Sequence, residues 1–462
     1  MASDDRQALR AFVAPAPRGR RILPWLAPGL LWMVSAVGSG AVLFTPRVAA
    51  RYEYDFLWLA LVVVFLMWVM IREAARYTVV SGRTMLEGFS VLPGPSGWAL
   101  WVIFIPQLFA AAVGIAGLSA LVGSALHVSV GGSHLAYAVG TIVLSTALVA
   151  GGGYRGLARV AQVMAAVLIT LSIVAAVSVA PDPGTLASGL RPTSESPDLP
   201  FILPWVGTIL AGSMGIIWYA YWTAAAGFAG PATKPGAARE DDPRDEEDLT
   251  ADERARRVRD WVQLSGTTAA LGVGLGAAVI VAFMVLGSEL LAPEDRIPSG
   301  VNVARDLAQL LEGVWGAFGF WALIVTAIVA LGGSVAANQD GWSRSFADIT
   351  RLLVARESDE DSDEDGERRP RWLEPAFLRL LYVTTIAGVV PIAIVLLVED
   401  PVAIMSASGT IGAVHTPFIV LLILLVNRLH LPREARPGLT ASALLAAAGV
   451  FYAVFAVLRV VV

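Results

Sequence analysis

The stretch "SAVGSGAVLFTP" (35–46) lies inside the first long apolar run of the chain. Gly38, Ser39 and Gly40 sit at its middle, and Pro46 closes it. Glycine costs about 1 kcal/mol relative to alanine inside a helix, and proline removes a backbone donor. No Asp, Glu, Lys, Arg or His lies between 25 and 46. A second apolar run, "LPWVGTILAGSMGIIWYAYW" (203–222), carries the same interruption at Gly212, Ser213, Met214 and Gly215, again without charge. One such helix needs only close packing by small residues as its explanation. A matched pair points instead to two discontinuous helices around a transporter's central site.

The rest of the chain supports a membrane setting. Its 462 residues are 56% hydrophobic and 15% charged, with a mean hydropathy of +0.67. No water-soluble domain hides that much apolar surface. A span needs roughly 20 apolar residues. About eleven such runs are present, near 25–46, 55–76, 97–126, 134–151, 155–180, 201–228, 261–290, 314–337, 373–398, 400–427 and 438–461. The first is too long for a signal-peptide core, and no small-residue cleavage site follows it. The chain has no cysteine, which removes disulfides, thiolate metal sites and thiol catalysis.

Arginine placement orients the spans through the positive-inside bias. Arg6, Arg10, Arg18, Arg20 and Arg21 precede span one, and Arg72, Arg76 and Arg83 end span two. Arg155 and Arg159 link spans four and five, and further arginines fill the 6–7, 8–9 and 10–11 loops. All share one side if the N-terminus is cytoplasmic and the C-terminus outside. The expected organisation is a cytoplasmic tail (1–24), a first repeat (25–180), an inverted second repeat (201–427) and a last span (438–461). Two loops, 231–258 and 356–371, contain the acidic runs "REDDPRDEEDL" (239–249) and "ESDEDSDEDGE" (357–367), read as solvated.

The breaks carry the chemistry. Unwound backbone at 38–41 offers N–H groups to an anion or carbonyls to a cation. Gly38, Ser39, Gly40 and Ala41, with Ser213, Met214 and Gly215, are therefore the candidate substrate-binding residues. Ser39 and Ser213 add hydroxyls. Met214 adds a thioether, either a soft metal ligand or a gap filler. The membrane cores are read as free of acids, which leaves His415 as the one ionisable group deep in a span and the candidate for coupling. Gln107, Gln162, Tyr219, Tyr221 and Asn338 read as interhelical contacts or interfacial anchors. No nucleophile–base pair, histidine–carboxylate metal motif or phosphate loop appears, so no enzyme, cofactor or nucleic-acid partner is expected.

Several segments resemble the Nramp family of divalent-metal transporters. They are the opening "PGLLWMVSAVGSG" (28–40), the second span "FLWLALVVVFLMWVMIREAARYTVVSGRTMLEGF" (56–89), "AGSMGII" (211–217) and Pro417-Phe418. The resemblance implies an all-α fold of two inverted five-helix repeats shared with amino-acid transporters, and proton-coupled uptake of manganese or iron. The family's Asp-Pro-Gly-Asn motif falls on 38–41, where both side-chain ligands are replaced. Met214 keeps the family's methionine, while Gly215 and Ile216 stand for its proline and histidine. The acidic groups of the family's third span fall among Gly114 and Gly117. "GSGAVLFTP" (38–46) is also similar to the span-one signature of the amino acid–polyamine–organocation superfamily, which implies backbone N–H contacts to a substrate carboxylate. The expected function is secondary transport across the bilayer. A divalent metal is the family's default cargo, a small organic solute the alternative, and H⁺ or Na⁺ the coupling ion.

Overall fold

A computed structural model describes residues 15–36, 38–152, 155–192, 196–210, 212–228, 250–361 and 371–461. The acidic run at 239–249 and most of the one at 357–367 lie outside the described residues, as does the start of the N-terminal tail.

The molecule is all-helical. Nine of its described helices are long and apolar enough to cross a membrane, and the 17-residue helix His134–Ala150 is a shorter apolar one. The expected span one is present but divided, into α1 (Ala27–Ala36), a π-turn (Gly40–Phe44) and α2 (Thr45–Tyr52). Then come α3 (Leu57–Ser81), α4 (Trp98–Val130), α5 (His134–Ala150) and α6 (Arg155–Val179). The second half holds α7 (Leu199–Thr208), α8 (Gly212–Ala225), α9 (Ala251–Leu286), α10 (Val303–Trp315) and α11 (Ala317–Asp361). It ends with α12 (Pro375–Thr384), a π-turn, α13 (Val390–Val398), α14 (Pro401–Leu429) and α15 (Leu439–Val461).

Local chemistry accounts for many boundaries. Gly82, at φ 69°, caps α3 in the left-handed region that glycine tolerates. Thr84 and Glu87 form a capping box that starts the short turn Met85–Ser90. Asp198 caps α7 by accepting from the Phe201 N–H, and Asp400 caps α14 by accepting from Val402 and Ala403.

The breaks differ in detail from the sequence expectation. Span six opens at Ile209 and Leu210, ahead of the glycines, and Gly212–Gly215 become the first turn of α8. Leu210 takes φ 55° and Gly212 φ 58°, so the chain reverses its hand twice at the gap. In span one the gap lies around Gly38, and Gly40 already belongs to the π-turn.

Small residues let the broken helices touch backbone to backbone. A Cβ on Gly40 would lie 2.2 Å from the Thr208 carbonyl oxygen, and one on Gly207 would lie 1.9 Å from that of Gly409. Trp205 Nε1 donates to Thr45 Oγ1 at 3.0 Å, and Trp32 Nε1 donates to the Gly215 carbonyl at 3.0 Å. These contacts pin α2 to α7 and α1 to α8. Large apolar side chains such as Phe109, Leu144 and Leu397 face outward, as a bilayer requires.

The expectation of acid-free membrane cores is corrected. Glu73, inside the expected span 55–76, is fully buried in α3, and Asp340, just past the expected span 314–337, is 5% exposed in α11. Both are tolerable because they are paired. Arg76 forks onto Glu73 at 2.7 and 3.1 Å, while Arg344 and Arg379 donate to Asp340 at 3.0 and 2.6 Å.

Candidate substrate site

A cavity of about 380 Å³ lies near the arginine-rich loops, and a larger one of about 670 Å³ occupies the centre of the bundle. The central cavity begins where the two broken spans meet. Gly38 and Ser39 from span one line it, as do Thr208, Gly212, Ser213, Met214 and Gly215 from span six. It continues along α8 and α11 past Asn338, Gly341 and Ser345 to Asp348. Ser213 and Met214 at one end are buried, whereas Ala225 and Arg344 at the other are exposed. The mouth therefore faces the end of the bundle that bears the arginine-rich 6–7 and 8–9 loops. On the opposite side of the break, a void of about 20 Å³ is walled by Val42, Leu43, Leu307 and Leu323.

The deep end is charge-neutral. It presents the hydroxyls of Ser39, Ser213 and Ser408, the amide of Gln107, the thioethers of Met214 and Met405, and backbone. The first four N–H groups of a helix lack intrahelical partners, and so do its last four carbonyls. The N-terminus of α8 lies on the cavity wall, and α1 ends just before Gly38. The two sides of the gap thus present partial charges of opposite sign.

Gln107 is fully buried, and its Nε2 donates to Ser213 Oγ at 2.8 Å and to His415 Nδ1 at 2.5 Å. His415 Nε2 lies 3.0 Å from the Val102 carbonyl. An imidazole that donates from Nε2 and accepts at Nδ1 is neutral. Gln107 Oε1 has no protein partner. It is a buried acceptor left over just behind the wall of the site.

The candidate residues from the sequence divide in two. Gly38, Ser39, Ser213, Met214 and Gly215 come together on the wall. Gly40 and Ala41 do not line it; both are buried in helix packing. His415 stands one residue back, behind Gln107. The sequence reading passed over Trp32, Trp218, Trp222, Trp342, Asp340, Arg344 and Asp348, all of which line the cavity. A signal was available. Ser334, Asn338, Gly341, Ser345 and Asp348 recur every three or four residues and form one small, polar stripe on α11. Among the described residues no group of three or more His, Asp or Glu gathers in a way that would hold a metal ion.

Broken helices that meet over a central cavity, in an all-α bundle of this kind, define a secondary membrane transporter of the inverted-repeat class. The family model described as "Natural resistance-associated macrophage protein-like" matches residues 29–462, and the chain belongs to the Nramp family of transporters. Its fold is similar to that of a mutant manganese transporter of Eremococcus coleocola, with a TM-score of 0.69 at 14% identity over 96% of this chain and 88% of that one. It is also similar to Mhp1, a nucleobase-cation-symport-1 transporter in a closed conformation with bromovinylhydantoin bound (TM-score 0.54, 12% identity, 94% and 90% covered). MhsT in complex with L-phenylalanine has a TM-score of 0.51 at 11% identity, with 97% and 99% covered. No curated protein sequence matches the chain.

Proposed function

We propose that this Nramp-family transporter carries a small organic solute with a carboxylate and a hydrogen-bond donor, in the manner of an amino acid. The observation that carries the reading is the neutral deep end of the cavity. A divalent cation gives up strongly held water only to charged or closely spaced oxygen ligands, and the deep end offers three hydroxyls, one amide, two thioethers and backbone, all of them neutral. An organic carboxylate needs no such ligands. The free N–H groups at the start of α8 suit it, and the carbonyl end of α1 suits a donor. A cavity of about 670 Å³ lies within the usual range for small-molecule sites, and four tryptophans line its walls. The fold is also one in which hydantoin and L-phenylalanine are held by other transporters.

A divalent metal is the second reading. It is favoured by Met214 on the cavity wall and by the likeness to a manganese transporter. Met214, the two serines, backbone carbonyls and retained water would then hold the ion.

The cavity is open toward the arginine-rich side, which the positive-inside bias makes cytoplasmic, so the conformation reads as inward-open. Transport follows by rocking of α1, α2, α7 and α8 against the rest, between the repeats 25–180 and 201–427. His415 is the coupling group in this scheme. A proton on Nδ1 would turn that acceptor into a donor. The Gln107 amide would then rotate to offer Oε1, and its N–H would leave Ser213. Sodium, held by carbonyls and the hydroxyls of Ser39 and Ser213, is the other candidate.

Uptake into proteoliposomes separates the cargoes, with labelled amino acids tested against manganese, iron and magnesium. Saturable amino-acid uptake without metal flux is expected. Metal flux with calorimetric metal binding, and no organic uptake, would overturn the reading.

A further inference from the structure

The second cavity, of about 380 Å³, lies away from the transport path, between α3, α9 and the segment that joins α14 to α15. Arg72, Arg76 and Arg259 line it with Gln263, over an apolar side made by Val258 and Val262. Among the described residues, the only carboxylate bonded into this group is Glu73, which is buried beneath it and taken up by the fork of Arg76 at 2.7 and 3.1 Å. Arg76 also donates to the Ala435 carbonyl at 3.3 Å. Arg72 comes no closer than 3.9 Å to Glu73. Arg259 is exposed and makes no ion pair among the described residues, while its neighbour Asp260 is engaged with Arg18 at 3.1 Å. Three guanidinium charges around one crevice thus share a single buried carboxylate, which Arg76 holds closely and Arg72 only at 3.9 Å.

The crevice is also preorganised. The Arg72 guanidinium lies over the Trp68 ring, 5.4 Å from its centre, and Trp68 Nε1 donates to the Gly266 carbonyl at 3.1 Å. A Cβ on Gly266 would stand 3.2 Å from Arg72 Nε, so the glycine makes room for the guanidinium along α9. Position matters as much as charge. Residues 57–71 of α3 are uncharged, and Arg72 is the first charge after them. The three arginines therefore stand where hydrocarbon gives way to headgroups, on the side that carries the basic loops. A phosphate meets guanidinium forks best in such a place. Basic pockets between spans on this side suit anionic lipid headgroups.

We propose that this crevice binds a phosphate group, supplied either by an anionic phospholipid headgroup or by free phosphate, through Arg72 and Arg259 with Arg76 as a fixed third wall. The test is the thermal unfolding midpoint of the full chain in detergent, titrated with phosphatidylglycerol, phosphatidylcholine or inorganic phosphate. A midpoint raised by phosphatidylglycerol and not by phosphatidylcholine or phosphate identifies the lipid. A midpoint raised by inorganic phosphate as well identifies the free anion. With Arg72→Gln and Arg259→Gln together, half-saturation should move up about fivefold for each lost charge, or about 25-fold in all. Arg72→Lys with Arg259→Lys should recover most of that loss. Arg259→Gln alone, on an exposed side chain, keeps the test open if the double variant does not fold. An unshifted midpoint with every ligand, or a response of Arg259→Gln and the double variant equal to that of the parent chain, would overturn the proposal.

Discussion

Gly38 and Gly40 stand two residues apart and answer to different constraints. A Cβ at Gly38 meets nothing within 4 Å, and the residue faces the cavity. Gly38→Ala should leave stability within about 0.5 kcal/mol of the parent and change the KM of uptake. Gly40 faces the Thr208 carbonyl, where a Cβ would stand at 2.2 Å. Gly40→Leu should abolish transport by forcing the broken spans apart, and undiminished uptake would reject that role for the close approach. Gln107 works at the same scale. Gln107→Leu strips Ser213 and His415 of a shared donor, and uptake should fall by about tenfold, the worth of roughly 1.4 kcal/mol. His415→Gln should flatten the pH profile of transport. A profile that keeps its shape would remove His415 from coupling.

At the scale of elements, the breaks depend on glycine backbone rather than on polar side chains. Gly212 holds φ 58° where α8 begins, so Gly212→Ala should lower stability by about 1 kcal/mol. Gly207 touches α14 so closely that a Cβ would sit 1.9 Å from the Gly409 carbonyl oxygen. Gly207→Ala therefore has to push α7 off α14, at a cost of about 3 kcal/mol. Thermal unfolding in detergent ranks the two, with Gly207→Ala the worse. A reverse order would mean that backbone conformation, not helix contact, limits the site. The two positions also explain why composition alone misplaced the span-six break. Gly212 and Gly215 look like the interruption together, but the hand reverses at Leu210 and Gly212, and Gly215 already lies inside α8.

For the molecule as a whole, one open side and one closed side make a direct prediction. The chain contains no cysteine, so single cysteines can be placed without background. Ala225→Cys, at the cavity mouth, should react with a membrane-impermeant maleimide from the arginine-rich face only. Thr45→Cys, fully buried next to Trp205, should stay protected from both faces. Labelling of Ala225→Cys from the opposite face would reverse the assigned orientation. A cargo that drives the outward-open state should lower the Ala225→Cys labelling rate.

The sequence by itself determined the membrane class, the run of apolar spans and the two interrupted helices. These are properties of local composition, because lipid forces every span to satisfy its backbone and leaves glycine gaps conspicuous within it. It also pointed to Ser39, Ser213 and Met214, which reach the cavity because they lie within the gaps or one turn from them. Only the tertiary structure decided what else faces the solute. Asp340 and Asp348 lie beyond the apolar part of α11 and enter the wall because that helix runs on past it. Gln107 lies on α4, and its bond to Ser213 spans 106 residues of chain. Gly40 and Ala41 were drawn into packing by a contact with α7 that spacing along one chain segment does not encode. A site assembled from α1, α4, α8, α11 and α14 is a property of how helices pack, and local pattern carries that information only one helix at a time.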